Sequence, residues 1–411
     1  GRRYMKGKRT ERKRCRRKKK GGLAGIIVAA VIGAVIWNAD SFPLFSDSYK
    51  EVRSSVTVRG EEEVQCGVTG QEEAGGFYYQ KLSGDEQEFY DAIWQGVKEE
   101  KEYIEIPTTD GEQAAKIYEY LLYDRPELFW CDGTSRMTVY EEKLWFYPGY
   151  HCTGEKRQER QAQIQAAVKT CLEGISEEMS DYGKIRYIFE YLVETIDYES
   201  EAPDNQNIYS SLVNKKSVCA GYARAAQYLM QQTGIECIYV VGDIAGQGAH
   251  AWNIVNCEGK YYQMDVTFGD PVFLKEEEDA ILPQSAINYD YLCCTDEEIS
   301  KTHREDKNMA YPACTSEDLN FYRLEGMYYE AFDKEEMLEK MNESFYTGQS
   351  FFACKFADSE LYLQAHDTII EELIPSAAAN LADYYGMSSV HYTYVEDEKL
   401  NKITVFWNYE K

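Results

Sequence analysis

The sequence predicts an α+β protein tethered by one N-terminal transmembrane helix. Three observations lead there. Helical periodicities and short strand-like runs are interspersed beyond residue 77, without a fixed repeat. The chain has 411 residues, 44% of them hydrophobic and 14% aromatic, which is material for several packed cores and excludes general disorder. The run from Gly21 to Trp37, GGLAGIIVAAVIGAVIW, carries no charge.

That run has 17 apolar or small residues and spans about 26 Å as a helix, near the short limit for crossing a bilayer. Residues 1–20 precede it with 13 Lys/Arg and the single acid Glu11. A basic block abutting an apolar run predicts residues 1–20 in the cytosol and the chain beyond residue 39 outside the cell membrane, single-pass. A buried helix and a basic nucleic-acid tail are the rival readings of these segments. Trp37-Asn38-Ala39 lacks the small-x-small pattern of a cleaved signal, which predicts an uncleaved anchor. The rest of the chain holds 31 basic and 70 acidic residues. Such a body repels phosphate, which argues against a nucleic-acid partner.

Twelve cysteines occur. Cys15 falls on the cytosolic side, so an odd number remains outside and at least one thiol stays unpaired in a monomer. No C-x-x-C or paired Cys/His spacing is present, which argues against structural zinc. Buried, inert thiol is the default for most of them.

Residues 39–76 read as a stalk rich in Ser, Glu, Gly and Val. Residues 82–100 predict a helix with Ser83 as N-cap and Glu86 three residues later. Residues 113–123 predict a second, and 128–131, 137–140 and 144–147 predict short strands. A polar helix follows near 156–174. Residues 181–196 carry the stripe Ile185, Ile188, Phe189, Leu192, Val193 and Ile196, a core-facing helix. Farther on, 351–355 and 403–407 predict strands, and 365–385 a helix interrupted by Pro375. The tail carries His366 and His391 without a catalytic grouping.

The informative stretch is 205–271. Ser217-Val218-Cys219 opens a strongly helical run that ends before Gly234, a natural glycine for the helix C-terminus. With Ser217 as N-cap, Cys219 lies in the first turn. There the free amides and the helix dipole favour thiolate, the nucleophile acyl transfer needs. Residues 235–241 predict a strand closed by Gly242, 243–249 a Gly-rich loop, and 250–255 and 260–268 a hairpin turned at Glu258-Gly259. A two-residue turn pairs Cys257 with Lys260 and makes His250 and Asp265 diagonal neighbours on one face. Thiol, imidazole and carboxylate together have the logic of nucleophile, base and orienting acid. The bland alternatives are a buried structural cysteine, a rim histidine and a turn-capping carboxylate. Trp252 and Tyr222 are candidates for an acyl channel, with aromatic core packing the simpler reading. Arg224 reads as a solvated or ion-paired helix position.

SVCAGYARAAQYLMQQTGIECIYVVG, then HAWNIV, then GKYYQMDVTFGDP, resembles the transglutaminase-like superfamily, in particular its bacterial branch of transglutaminase/protease-like, cytokinesis-related proteins. The resemblance covers roughly residues 180–295, with a weaker likeness over 77–150. It implies a papain-like core, a Cys-bearing helix packed on an antiparallel sheet, with the triad Cys219, His250 and Asp265. Members often read Asp-x-Thr-Trp-Asp-Asp-Pro where this chain has Phe268-Gly269. The expected organisation is then a basic tail (1–20), a transmembrane anchor (21–38), a stalk (39–76), an N-terminal α+β domain (77–155), a transglutaminase-like catalytic domain (156–300) and a C-terminal α+β domain (301–411).

The activity expected is acyl transfer or hydrolysis at amides of peptides or proteins, cell-wall peptides included, through a Cys219 thioester. The residues do not separate peptidase from transglutaminase. A catalytically inactive scaffold or adhesin is the alternative. The 35 Tyr and 6 Trp raise a third reading, a surface carbohydrate binder, but the Tyr are spread along the whole chain. No G-x-G-x-x-G, Walker A, H-E-x-x-H or EF-hand pattern occurs, so no cofactor or metal is expected.

Overall fold

A computed structural model of the chain describes residues 75–245, 248–270, 286–388 and 390–408. The expected basic tail, the membrane span and nearly all of the stalk lie outside them. Among the described residues no helix is long and apolar enough to cross a membrane. The described chain forms two compact units, 75–150 and 151–408.

In the first unit the helices Gly84–Lys98 and Gly111–Asp124 pack with an antiparallel sheet of order β1-β3-β2. Its strands are β1 Ile104–Ile106, β2 Cys131–Val139 and β3 Leu144–Tyr150. Ser83 caps the first helix in a reciprocal box with Glu86, as the spacing predicted. Residues 128–130, expected in a strand, form a turn instead, and the strand begins at Cys131. The core is Ile93, Val97, Ile104, Ile117, Leu121 and Phe146, all fully or almost fully buried.

The second unit is built on the helix Cys219–Gln232. This helix packs across an antiparallel sheet of order β8-β7-β6-β9, with β6 Cys237–Ile244, β7 Gly248–Cys257, β8 Lys260–Met264 and β9 His303–Glu305. Ala223, Ala225 and Ala226 let helix and sheet approach closely, and Leu229 and Met230 fill the gap beyond. The Asn253 amide of β7 donates to the Ala223 carbonyl at 3.0 Å, tying the helix to the hairpin. Gly234 ends the helix at φ +79°. The helix Asp181–Thr195 buries Ile185, Ile188, Phe189, Leu192 and Val193, each worth about 1.5–3 kcal/mol of transfer free energy.

Several expectations are corrected here. Strand β6 does not stop at Gly242 but runs to Ile244, and β7 begins at Gly248, so most of the expected loop is sheet. Gly242 is instead a point of close approach. A Cβ there would overlap the Arg304 carbonyl of β9 and the Trp252 ring. Strand β9 lies beyond the boundary expected at residue 300, so the sheet crosses it.

The C-terminal part of this unit carries a second sheet of order β10-β11-β13-β12. The strands are β10 Tyr328–Tyr329, β11 Phe351–Phe356, β12 His391–Asp397 and β13 Lys402–Asn408. Helices Lys334–Tyr346, Ser359–Thr368 and Ile374–Tyr385 belong to the same core. The interruption expected at Pro375 takes the form of a π-helical stretch, Ile369–Leu373, after which the helix resumes. The wider turn accommodates a proline that cannot donate to the turn before it. Lys355 and Lys402 are buried where this sheet meets residues 288–298. Both bind Asp290, Lys355 at 3.0 Å, and Lys355 also reaches Glu298 at 3.2 Å.

Candidate active site

The short parallel pair β4 Asp197–Tyr198 and β5 Lys216–Ser217 delivers the chain to the start of the Cys219 helix. Ser217 is not the N-cap. Its hydroxyl, held in β5, donates to the Asn205 carbonyl at 2.7 Å and meets Ser210 Oγ at 2.9 Å, and Val218 takes the cap position. Cys219 is therefore the first helical residue. The amides of Cys219 and Ala220 have no carbonyl a turn earlier to bind. Gly221 has no room for a Cβ, because Ser217 occupies that space.

The hairpin has the expected register, with Cys257 opposite Lys260 and Asn253 opposite Met264. Glu258 and Gly259 both adopt positive φ, 53° and 82°, the conformation a tight two-residue turn requires. The returning strand stops at Met264, however, not at Phe268. Val266–Gly269 coils into a short helix, and Asp265 is its N-cap, with Oδ1 accepting from the Phe268 N–H at 3.2 Å. His250 pairs with Gly242 of β6, and on its other side the pairing with β8 ends at Asn253↔Met264, short of His250.

The three predicted residues nevertheless converge. His250 Nε2 lies 2.6 Å from Asp265 Oδ2, and the Cys219 sulfur lies close enough to the His250 ring to raise its proton affinity. Since Nε2 is engaged by the carboxylate, Nδ1 is the nitrogen left for sulfur. The relative exposures are 4% for Cys219, 2% for His250 and 0% for Asp265. Burial by itself disfavours a charged His250, but the Asp265 carboxylate and the Cys219 sulfur outweigh it and raise its proton affinity. Burial likewise works to raise the Asp265 carboxyl. The hydrogen bonds and charge of His250, with a contribution from His303, hold it well below the usual carboxylate range.

Of the weighed neighbours, Trp252 stacks behind the His250 ring, centroids 5.9 Å apart, and its indole N–H donates to Gln263 Oε1 at 2.8 Å. The Tyr222 hydroxyl donates to the Ile196 carbonyl at 2.7 Å. Arg224 donates to the Gln206 carbonyl at 3.0 Å and lies over the Tyr239 ring. All three therefore have partners in the surrounding packing. Phe268 sets its ring edge-on to His250 at 5.4 Å, and Gly269 lies where a Cβ would strike Phe189 and Val193.

The sequence reading missed His303. Its Nε2 reaches the same Asp265 Oδ2 at 2.8 Å, from strand β9. Nothing in the local pattern around His303 marks it. It becomes visible only when β9 pairs with β6. His250, Asp265 and His303 offer donor atoms within 4.8 Å of one another, the kind of set that can hold a metal ion. Here both Nε2 atoms are already engaged by Asp265 Oδ2, so the three groups satisfy one another. The ten described cysteines are all buried, and none of them is in a disulfide.

Residues 169–266 match the family model of the transglutaminase-like superfamily, a span that includes Cys219, His250 and Asp265 and excludes His303. Among curated proteins, the chain is 27% identical over 111 residues to kyphoscoliosis peptidase of Mus musculus, covering 23% of this chain and 17% of that protein. Among solved structures, it overlaps a TGase with 14% identity and a TM-score of 0.25, covering 37% of this chain and 47% of the other. A candidate cysteine protease from Cytophaga hutchinsonii overlaps with 14% identity and a TM-score of 0.23, over 34% and 63% of the two chains. The chain thus spans only part of each of these relatives. Helix-borne thiol, hairpin imidazole and matched span coincide: the site lies within the residues 169–266 that match the transglutaminase-like superfamily.

Proposed function

We propose that this chain is a cysteine acyltransferase or peptidase acting on amide bonds of peptides or proteins, with Cys219 as nucleophile. The observation that carries the reading is the buried His250–Asp265 pair, 2.6 Å apart, with the Cys219 sulfur beside the imidazole. His250 Nδ1 takes the thiol proton, and Asp265 holds Nε2–H and favours the imidazolium. The thiolate adds to the amide carbonyl. The oxyanion that forms lies near the free amides at the start of the helix, which are suited to receive it. The C–N bond then breaks, the amine leaves with the proton from His250, and a Cys219 thioester remains. Attack by water releases an acid and completes hydrolysis. Attack by a primary amine forms a new amide.

The membrane location belongs to the same proposal. The apolar run 21–38 behind a basic block supports an anchored chain facing outward, where peptides of the cell wall or of surface proteins are the substrates in reach. The test is to incubate the protein with varied peptides, with and without a primary amine, and to read products by mass. Cys219-dependent amine incorporation identifies transfer, and a water adduct alone identifies hydrolysis. Neither product with any peptide overturns the enzymatic reading. The second reading, an inactive scaffold or adhesin, draws on the near-complete burial of all three side chains.

A further inference from the structure

Asp265 Oδ2 accepts from two imidazoles at once, His250 at 2.6 Å and His303 at 2.8 Å. We propose that His303 is a positioning residue of this site, holding the Asp265 carboxylate so that His250 keeps one tautomer and one orientation. The inference rests on the reading of Cys219 as the nucleophile.

The hydrogen bonds assign the protons. An ionised carboxylate only accepts, so His303 carries its proton on Nε2 and Nδ1 is an acceptor. The Thr302 hydroxyl, 2.8 Å from Nδ1, is then the donor to it, in preference to the Ile299 carbonyl at 3.4 Å. Thr302 Oγ1 in turn accepts from the Tyr291 hydroxyl at 3.2 Å. The Tyr291 carbonyl meanwhile accepts from the Asp265 backbone N–H at 2.9 Å. Tyr291 therefore holds Asp265 twice, once through the main chain and once through a relay ending on its carboxylate. With Oδ1 bound to the Phe268 N–H at 3.2 Å, the carboxylate is held at both oxygens.

The charges around His303 support a neutral role. The titratable groups that face it are Asp265, His250 and the Tyr291 phenol. Of its strand neighbours, Arg304 binds the Ser300 and His303 carbonyls, and Glu305 accepts from the Gln263 amide at 2.6 Å. Burial lowers the proton affinity of His303 and prevails over the opposing pull of Asp265. A neutral donor steadies the carboxylate without competing with His250 for the positive charge. Packing alone does not call for a histidine at this position. The rings of Trp252, Phe268 and Tyr291 around it, 4.9–5.4 Å away, would accept an apolar side chain of similar size. Only a hydrogen-bond donor serves Oδ2.

The test is the pH profile of Cys219 alkylation by iodoacetamide in the full-length protein, read at that residue by peptide mass spectrometry. His303→Leu keeps the bulk and removes the donor, while His303→Gln returns an N–H near the same point. In wild type the rate rises along an acid limb that depends on His250 and is altered in His250→Gln. In His303→Leu that limb moves to higher pH and the rate near pH 6 falls roughly tenfold or more, the weight of one hydrogen bond to a charged group. His303→Gln restores most of it. Thr302→Val, which leaves His303 in place, moves the limb in the same direction by less. Unchanged profiles in His303→Leu and Thr302→Val overturn the positioning role, as do equal shifts in His303→Leu and His303→Gln. A profile that His250→Gln leaves unchanged overturns the nucleophile reading itself, and this inference with it.

Discussion

Gly242 lies directly beneath the Arg304 carbonyl, so close that strand β9 can pair with β6 only because position 242 has no side chain. The pairing places His303 one residue from the point of contact. Replacing Gly242 with Ala forces β9 away from the sheet, an overpacking cost of about 1–3 kcal/mol. Denaturant midpoints of Gly242→Ala against wild type measure it. The effect on stability should come with slower Cys219 alkylation, since His303 moves with β9. A variant as stable and as reactive as wild type contradicts this placement of β9.

Asp265→Asn keeps the shape and the cap but removes the charge that holds His250. An amide that presents its NH2 to Nε2 selects the wrong imidazole tautomer, an effect worth up to roughly 10⁴ in rate in serine hydrolases with the same logic. We expect Cys219 alkylation at pH 6–7 to fall at least tenfold and peptide turnover to fall further. Site-resolved alkylation rates and product mass check both. A rate equal to wild type removes Asp265 from the mechanism.

The pH dependence of stability carries both signs. Asp265 is held below its ordinary value of 3.8, so its contribution is present above that value and lost as pH falls through the folded-state value. His250 is raised above its ordinary 6.5, so its contribution is full below 6.5 and is lost as pH rises through its folded-state value. Urea midpoints of wild type should decline on the alkaline side of pH 6.5, and His250→Gln should flatten that slope. Parallel curves for the two proteins would show that His250 gains no proton affinity on folding.

Asp290 holds two buried ammonium groups, Lys355 and Lys402, and they keep its carboxyl low although burial works to raise it. Asp290→Ala strands Lys402, leaves Lys355 with Glu298 alone, and should cost about 3–5 kcal/mol. Changing all three to apolar residues should cost much less, because no buried ammonium is left unpaired. Chemical unfolding of the single and triple variants separates the two outcomes. Equal losses would mean that the ion network itself, rather than an uncompensated charge, sets the stability.

Much of the site was legible because its parts are set by neighbours in sequence. The turn at Glu258-Gly259 dictated the hairpin register, and Gly234 marked the end of the Cys219 helix. The apolar stripe of 181–195 named its buried face. The extent of the returning strand was not legible. Residues 265–268 read as a continuing β run, yet Asp265 caps a helical turn instead. The choice is made by Tyr291 holding the Asp265 backbone and by Phe189 and Val193 closing over Gly269. Gly242 likewise read as a strand end because its true neighbour, Arg304, is distant in the chain.

The order of residues alone determined that a thiol opens a helix and that an imidazole lies on a hairpin in a set register, because helix starts and two-residue turns are short-range events. Tertiary structure alone decided that a second imidazole shares that carboxylate. A pairing between strands separated by a long stretch of chain is selected by backbone fit and burial, and local pattern holds no record of either.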